Sequence, residues 1–179
     1  VSSVSPTDDP DNDHVNNATE YAWGTDPANA DSVPIVYVDV DATGANDGSS
    51  WTNAFTTIQP AIDAAAALGA GEVWVAEGTY KPTDTTDRAV SFVLKSNVPI
   101  YGGFAGTEIT RSQRDWKAQE AILSGDIGTP GDNSDNSYHV VMATNVDSSR
   151  LDGVTITWGY ANGEGDDGVG GGIIVNGLA

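Results

Sequence analysis

Cysteine is absent from the 179 residues, which excludes disulfide staples, zinc-thiolate sites and a cysteine nucleophile. Basic residues are scarce: 7 Lys and Arg stand against 26 Asp and Glu, for a formal net charge of -19. Phosphate backbones and anionic membrane surfaces need clustered Lys and Arg, so nucleic acid and anionic membranes do not fit as partners. No stretch approaches the ~18 apolar residues of a spanning helix. No basic n-region followed by an apolar h-region opens the chain. Divalent cations or a salty medium suit this charge better, and acidity also keeps an exposed protein soluble. What is plentiful is glycine: 21 residues, with 39% hydrophobic residues, point to a core built from short strands and tight turns. The start at Val1 rather than Met, and the end at Gly177, Leu178 and Ala179 after an apolar run, read as a processed or truncated piece of something longer.

The acidic residues are not evenly spread. Asp9, Asp11, Asp13, Asn17 and Glu20 fall at positions 1, 3, 5, 9 and 12 of a calcium loop, with the Val15 carbonyl at position 7. Ca²⁺ takes six to eight oxygens at about 2.3–2.6 Å, and alternate residues of a tight turn can aim carboxylates inward while a closing Glu adds two oxygens. The expected ligand set is therefore Asp9, Asp11, Asp13, Val15, Asn17 and Glu20, with Ca²⁺ as the only cofactor. Position 6 of such loops is usually Gly because the turn needs a positive φ. Here it is His14, which tolerates that region at some cost in affinity. Asn17-Ala18-Thr19 also matches a glycosylation sequon, but we read Asn17 as a ligand position. The alternative is an acidic solvated linker whose Asp and Asn residues only favour turns.

The continuation Glu20-Tyr21-Ala22-Trp23-Gly24-Thr25-Asp26-Pro27, then Asn29 and Asp31, resembles the tail of a bacterial thrombospondin type 3-like calcium repeat. The resemblance covers residues 1–33 and implies a calcium-binding linker there. A second repeat fails at Ser32-Val33-Pro34, so Asp26 and Asp31 are not assigned to a second ion.

Pro34 marks the boundary to a second region, 34–179. Ile35 to Asp41 is rich in β-branched residues and predicts a strand. One helix is expected from about Thr56 to Leu68, capped by Thr56 or Thr57, stopped by Gly69, with Ile58, Ile62, Ala65 or Ala66, and Leu68 on its apolar face. Short strands follow at 72–76, 91–94, 98–101, 121–124, 138–142, 149–157 and 172–175. Asn-Gly pairs occur only at 162–163 and 176–177, which argues against a meander of tight hairpins and for strands returning in parallel. The expected fold class is all-β: a right-handed parallel β-helix, or solenoid, closed at its start by the amphipathic helix. A small α+β domain with the helix on one sheet is the alternative.

Tyr37 to Trp51, Val73 to Tyr80, Tyr101 to Glu108, Arg114-Asp115-Trp116, Ile122 to Ile127, Leu151 to Thr157 and Gly170 to Ile174 resemble secreted bacterial parallel β-helix proteins of the pectin-lyase-like superfamily. The resemblance covers residues 35–179 and implies large secreted or cell-surface proteins. It implies little about activity, since lyases, hydrolases, adhesins and structural stalks share that fold.

A lyase needs a basic residue beside calcium-bound carboxylates, and only Arg150 lies close in sequence to a strand carboxylate, Asp152. Arg114-Asp115-Trp116 reads as an internal ion pair with a packed Trp. A glycoside hydrolase needs two carboxylates across a cleft, and Asp126, Asp132, Asp135 and Asp152 qualify only by residue type. His139 reads as a strand residue, and the 163–172 stretch as a flexible acidic loop. No catalytic residue is assigned, and the chain is not expected to be an enzyme. The expected function is an extracellular, calcium-stabilised structural or adhesive module of a cell-surface stalk, fibre or layer, assembled by stacking or strand-edge pairing. Its partners would be neighbouring copies or further strands of a larger surface protein. The alternative is a polysaccharide-binding or polysaccharide-degrading protein, with Trp51, Trp116, Trp158 and Tyr160 as the candidate sugar platform.

Overall fold

The computed structural model describes residues 5–177. Both chain ends, Val1 and the final Leu178-Ala179, lie outside the described residues. Helix α1 (Asn17–Trp23) comes first, then strand β1 (Ile35–Val38) and helix α2 (Ile58–Ala67). Nine strands follow: β2 (Glu72–Ala76), β3 (Gly78–Tyr80), β4 (Phe92–Val93), β5 (Pro99–Phe104), β6 (Ala121–Ser124), β7 (Val141–Thr144), β8 (Arg150–Asp152), β9 (Val154–Thr157) and β10 (Ile173–Asn176). They form three separate sheets, ordered β1-β2-β5-β8, β3-β6-β9 and β4-β7-β10. Every strand pairing between them is parallel.

This corrects the all-β parallel β-helix expected from the sequence. Helix makes up about 16% and strand about 23%, and the strands form three short parallel sheets of 3–4 strands with no evident continuous solenoid. The ladders are short: β4 contributes only Phe92 and Val93 to its pairing with β7. Apolar triplets spaced by Gly and Asn suit three small parallel sheets as well as a solenoid, so the sequence pattern could not separate them.

The three sheets share one core. Val36, Val38, Val73, Val75, Ile100, Leu123 and Val141 meet Ile58, Ala61, Ile62 and Ala65 of α2, all buried. Those four are the inward stripe of a 3.6-residue period, with Ala61 added to the expected set and Leu68, just past the helix end, half-buried against the same core. Thr57 sits at the N-cap without a side-chain cap bond, while the Thr56 amide is held by Asn46 Oδ1 at 2.9 Å. Helix α2 also satisfies a strand edge. Gln59 Oε1 accepts from the Val93 amide at 2.8 Å, and its Nε2 donates to the Val93 carbonyl at 3.3 Å.

The single strand expected over 149–157 is broken into β8 and β9 by Gly153, whose φ is +72°. A Cβ at Gly153 would lie 2.7 Å from the Gly102 carbonyl oxygen, so β5 and this corner approach too closely for any other residue. A second apolar cluster, Trp74, Tyr101 and Phe104 with Ile35, Tyr37 and Trp51, packs apart from the main core. Trp51 donates its Nε1–H to the Glu108 carbonyl at 2.9 Å.

Ile62→Ala should lower stability by about 2–5 kcal/mol, the range for truncating a fully buried aliphatic side chain. Urea unfolding measures it, and a loss under about 0.5 kcal/mol, typical of surface changes, would refute the central packing assigned to α2.

Candidate metal centre

The loop Asp9–Glu20 folds as a cradle whose side chains divide their polar atoms between two tasks. Asp9 Oδ2 accepts from the His14 amide at 3.1 Å, and Asp13 Oδ1 accepts from the Val15 amide at 2.7 Å. Asn17 Nδ2 donates to the Ser5 carbonyl at 2.9 Å. Each of these residues thereby fixes the turn with one atom and leaves another free. His14 has φ +74° and Asn12 φ +60°, so the position-6 residue does adopt the left-handed geometry usually given to Gly.

Helix α1 carries the last two of the expected ligands, Asn17 and Glu20. Asn16 caps it, its Oδ1 accepting from the Thr19 amide at 3.0 Å, and Gly24 ends it at φ +73°. Asn17 and Glu20, three apart, share one helix face, and both are buried. This helix went unread in the sequence, although Asn16 and Gly24 are ordinary start and stop signals.

Seven buried oxygens of the loop have no hydrogen-bond donor: Asp9 Oδ1, both Asp11 oxygens, Asp13 Oδ2, Asn17 Oδ1 and both Glu20 oxygens. Asp9, Asp11 and Asp13 each offer an oxygen, and these lie within 4.8 Å of one another. Oxygens on opposite sides of one calcium are about 5 Å apart, twice the bond length, so these three fit a common ion. Glu20 is fully buried with both oxygens lone, which without a cation costs several kcal/mol. Hard oxygen donors with no nitrogen or sulfur favour Ca²⁺ over softer metals. Five of the six expected ligands therefore contribute free buried oxygens. The sixth, Val15, lies in the same loop and is fully buried.

Burial first, then repulsion from Asp11, Asp13, Asp9 and Asp26, raises the Glu20 carboxyl above its ordinary 4.5. Asp13 rises above 3.8 chiefly through burial, against a lowering bond from Val15 and with added repulsion from Asp11 and Asp9. Asp26 and Asp31 serve turns: Asp26 Oδ1 accepts from the Ala28 amide at 3.2 Å, and the Asp31 amide donates to Asn29 Oδ1 at 3.2 Å.

The other residues singled out in the sequence are dispersed. Arg114 does not pair with Asp115; its Nη2 lies 2.8 Å from Asp152 Oδ1, and Arg150 Nε is 3.6 Å from Asp152 Oδ2. Trp116 is 54% exposed rather than packed. It lines a groove of about 690 Å³ with Arg114, Lys117, Glu120 and Asp152. Trp158 and Tyr160 are exposed, while Trp51 is tied into the second apolar cluster. Asp126 and Asp135 cap loop amides of Gly131 and Thr129, and Asp132 caps Ser134. His139 is buried with Nδ1 3.1 Å from the Gly170 carbonyl oxygen, a structural position.

Without a cation the folded loop holds protons more tightly than the unfolded chain, because both folded pKa values are raised. Its stability then falls as pH rises from the ordinary carboxylate values through the raised ones. Calcium must displace those protons, so its affinity should fall as pH drops through the same window. Calorimetric titration at neutral pH and at about pH 5 should show this weakening in the wild type and loss of binding in Glu20→Gln. Full-strength binding by that variant would remove Glu20 from the ligand set.

No known protein family, curated protein or solved structure matches this chain, so its functional reading rests on the geometry above.

Proposed function

We propose that this chain is an extracellular, calcium-stabilised structural or adhesive module that contributes to a cell-surface stalk, fibre or layer. The observation that carries the reading is the set of buried, donorless oxygens around Glu20. Carboxylates packed this way repel one another and lose hydration, and a divalent cation is the simplest group that compensates both. His14 at a left-handed position weakens the loop relative to Gly. That suits the weak class of calcium site, about 10⁻⁴–10⁻³ M, found in extracellular modules. The surplus of acidic residues agrees with a protein whose counter-ions are dissolved cations.

Assembly would use strand edges. Among the described residues β8, β9 and β10 are each the outermost strand of a sheet, paired on one side only. Val169, Ile173 and Val175 are exposed in and beside β10. Unpaired edges beside apolar side chains are templates for a further strand, from the same protein or another copy. Light scattering of the chain should show associated species in calcium that dissociate on adding a chelator. A monomer under both conditions, with calcium bound, would discard assembly while leaving the metal reading intact.

A second reading is favoured by the Trp116 groove. An exposed indole beside Arg114, Lys117, Glu120 and Asp152 offers a stacking face and both hydrogen-bond polarities to a glycan. Lys117 Nζ already lies 5.1 Å from the Trp116 ring centre and would have to share that face. A glycan array with wild type and Trp116→Ala should then show binding that the variant loses; no retained glycan would end this reading.

A further inference from the structure

We infer that the metal loop is a clamp on the main body, seated on the α2–β2 connection, with Gly69 as the residue that positions it. This rests on the calcium reading above and adds where that binding energy is delivered.

Two carbonyls from the lead-in meet the four residues 69–72. Gly69 has φ +107°, and a Cβ there would overlap the His14 carbonyl oxygen and lie 3.6 Å from the Val15 Cα. His14 is position 6 of the loop, between the Asp13 carboxylate and the Val15 carbonyl. At the other end of the lead-in, the Pro34 carbonyl accepts from the Glu72 amide at 2.8 Å, and Gly71 packs beside it. Asp13, His14 and Asp31 line one cleft of about 280 Å³ together with Ala70 and Glu72. Val15 is fully buried although it lies outside the main core cluster.

Residues 5–34 thus touch the body through the backbone of the metal loop itself. The conformation that gathers Asp9, Asp11 and Asp13 is the one that presents the His14 carbonyl to Gly69. A cation that favours this conformation must favour the docked arrangement by the same free energy, and a docked body must raise cation affinity in return. Occupancy of the loop would then set the stability of the last turn of α2 and the first residue of β2, both distant from it in sequence.

The test is calcium titration and hydrogen exchange on the whole chain, using calcium chloride and a chelator, for wild type and Gly69→Ala. Calcium should slow exchange in wild-type peptides covering 5–24 and also 60–76. Gly69→Ala should weaken calcium binding about 5- to 100-fold and lose the protection at 60–76. Protection confined to 5–24 would overturn the clamp while leaving the calcium site in place. So would a Gly69→Ala variant that binds calcium with wild-type affinity. A wild type that binds no calcium overturns the metal reading itself, and the clamp falls with it. Because Gly69→Ala also strains the end of α2, the wild-type exchange result decides the matter if that variant does not fold.

Discussion

A strand here finds its hydrogen-bond partner three places along the strand order: β2 with β5, β3 with β6, β4 with β7, and so on to β10. Only the β1–β2 pairing breaks that rule. Parallel partners need a long return path, so each pairing closes a loop whose ordering entropy must be offset by apolar burial. The burial is supplied by small sets of residues: Val73 and Val75 from β2, Ile100 from β5, Leu123 from β6 and Val141 from β7. With strands of two to six residues, no single ladder is strong. The sheets hold because all three bury their inward side chains in one cluster.

The loop around Glu20 follows the opposite economy. It buries charge instead of hydrocarbon, and Asp9, Asp13 and Asn17 each spend one polar atom on holding the loop. With so little hydrocarbon to bury, such a segment would gain from a bound cation what a core supplies elsewhere. Because Val15 is buried and the His14 carbonyl abuts Gly69, the two kinds of order meet at one seam.

What could be read in the sequence was what is local. The spacing of Asp9, Asp11 and Asp13 and the left-handed turn at His14 are local to a few consecutive residues, and the structure shows those three carboxylates gathered and His14 at a positive φ. Helix α2 was legible for the same reason, since its stripe and its Gly69 stop lie within one window. The overall fold was not. Parallel returns leave the same apolar triplets whether they end in a solenoid or in three short sheets, and the all-β assignment missed α1 as well. Arg114 shows the remaining limit: Asp115 is its neighbour in sequence, but Asp152 is its partner in space. Nothing in a single sequence reports a contact of that length. The cradle at Gly69 is of the same kind, for its glycine reads as a helix stop until the His14 carbonyl is seen against it.

Gln59 has a consequence for the edge of one sheet. Its side-chain amide meets Val93 as a peptide unit would, accepting from the Val93 amide and donating to the Val93 carbonyl, while Nε2 also donates to Asp63 Oδ1 at 3.2 Å. The outer side of β4 is thus closed at Val93 by an imitation of backbone, while among the described residues β8, β9 and β10 are each paired on one side only. The two ends of that sheet therefore differ: Val93 of β4 is capped by a side chain, while β10 is paired on one side only.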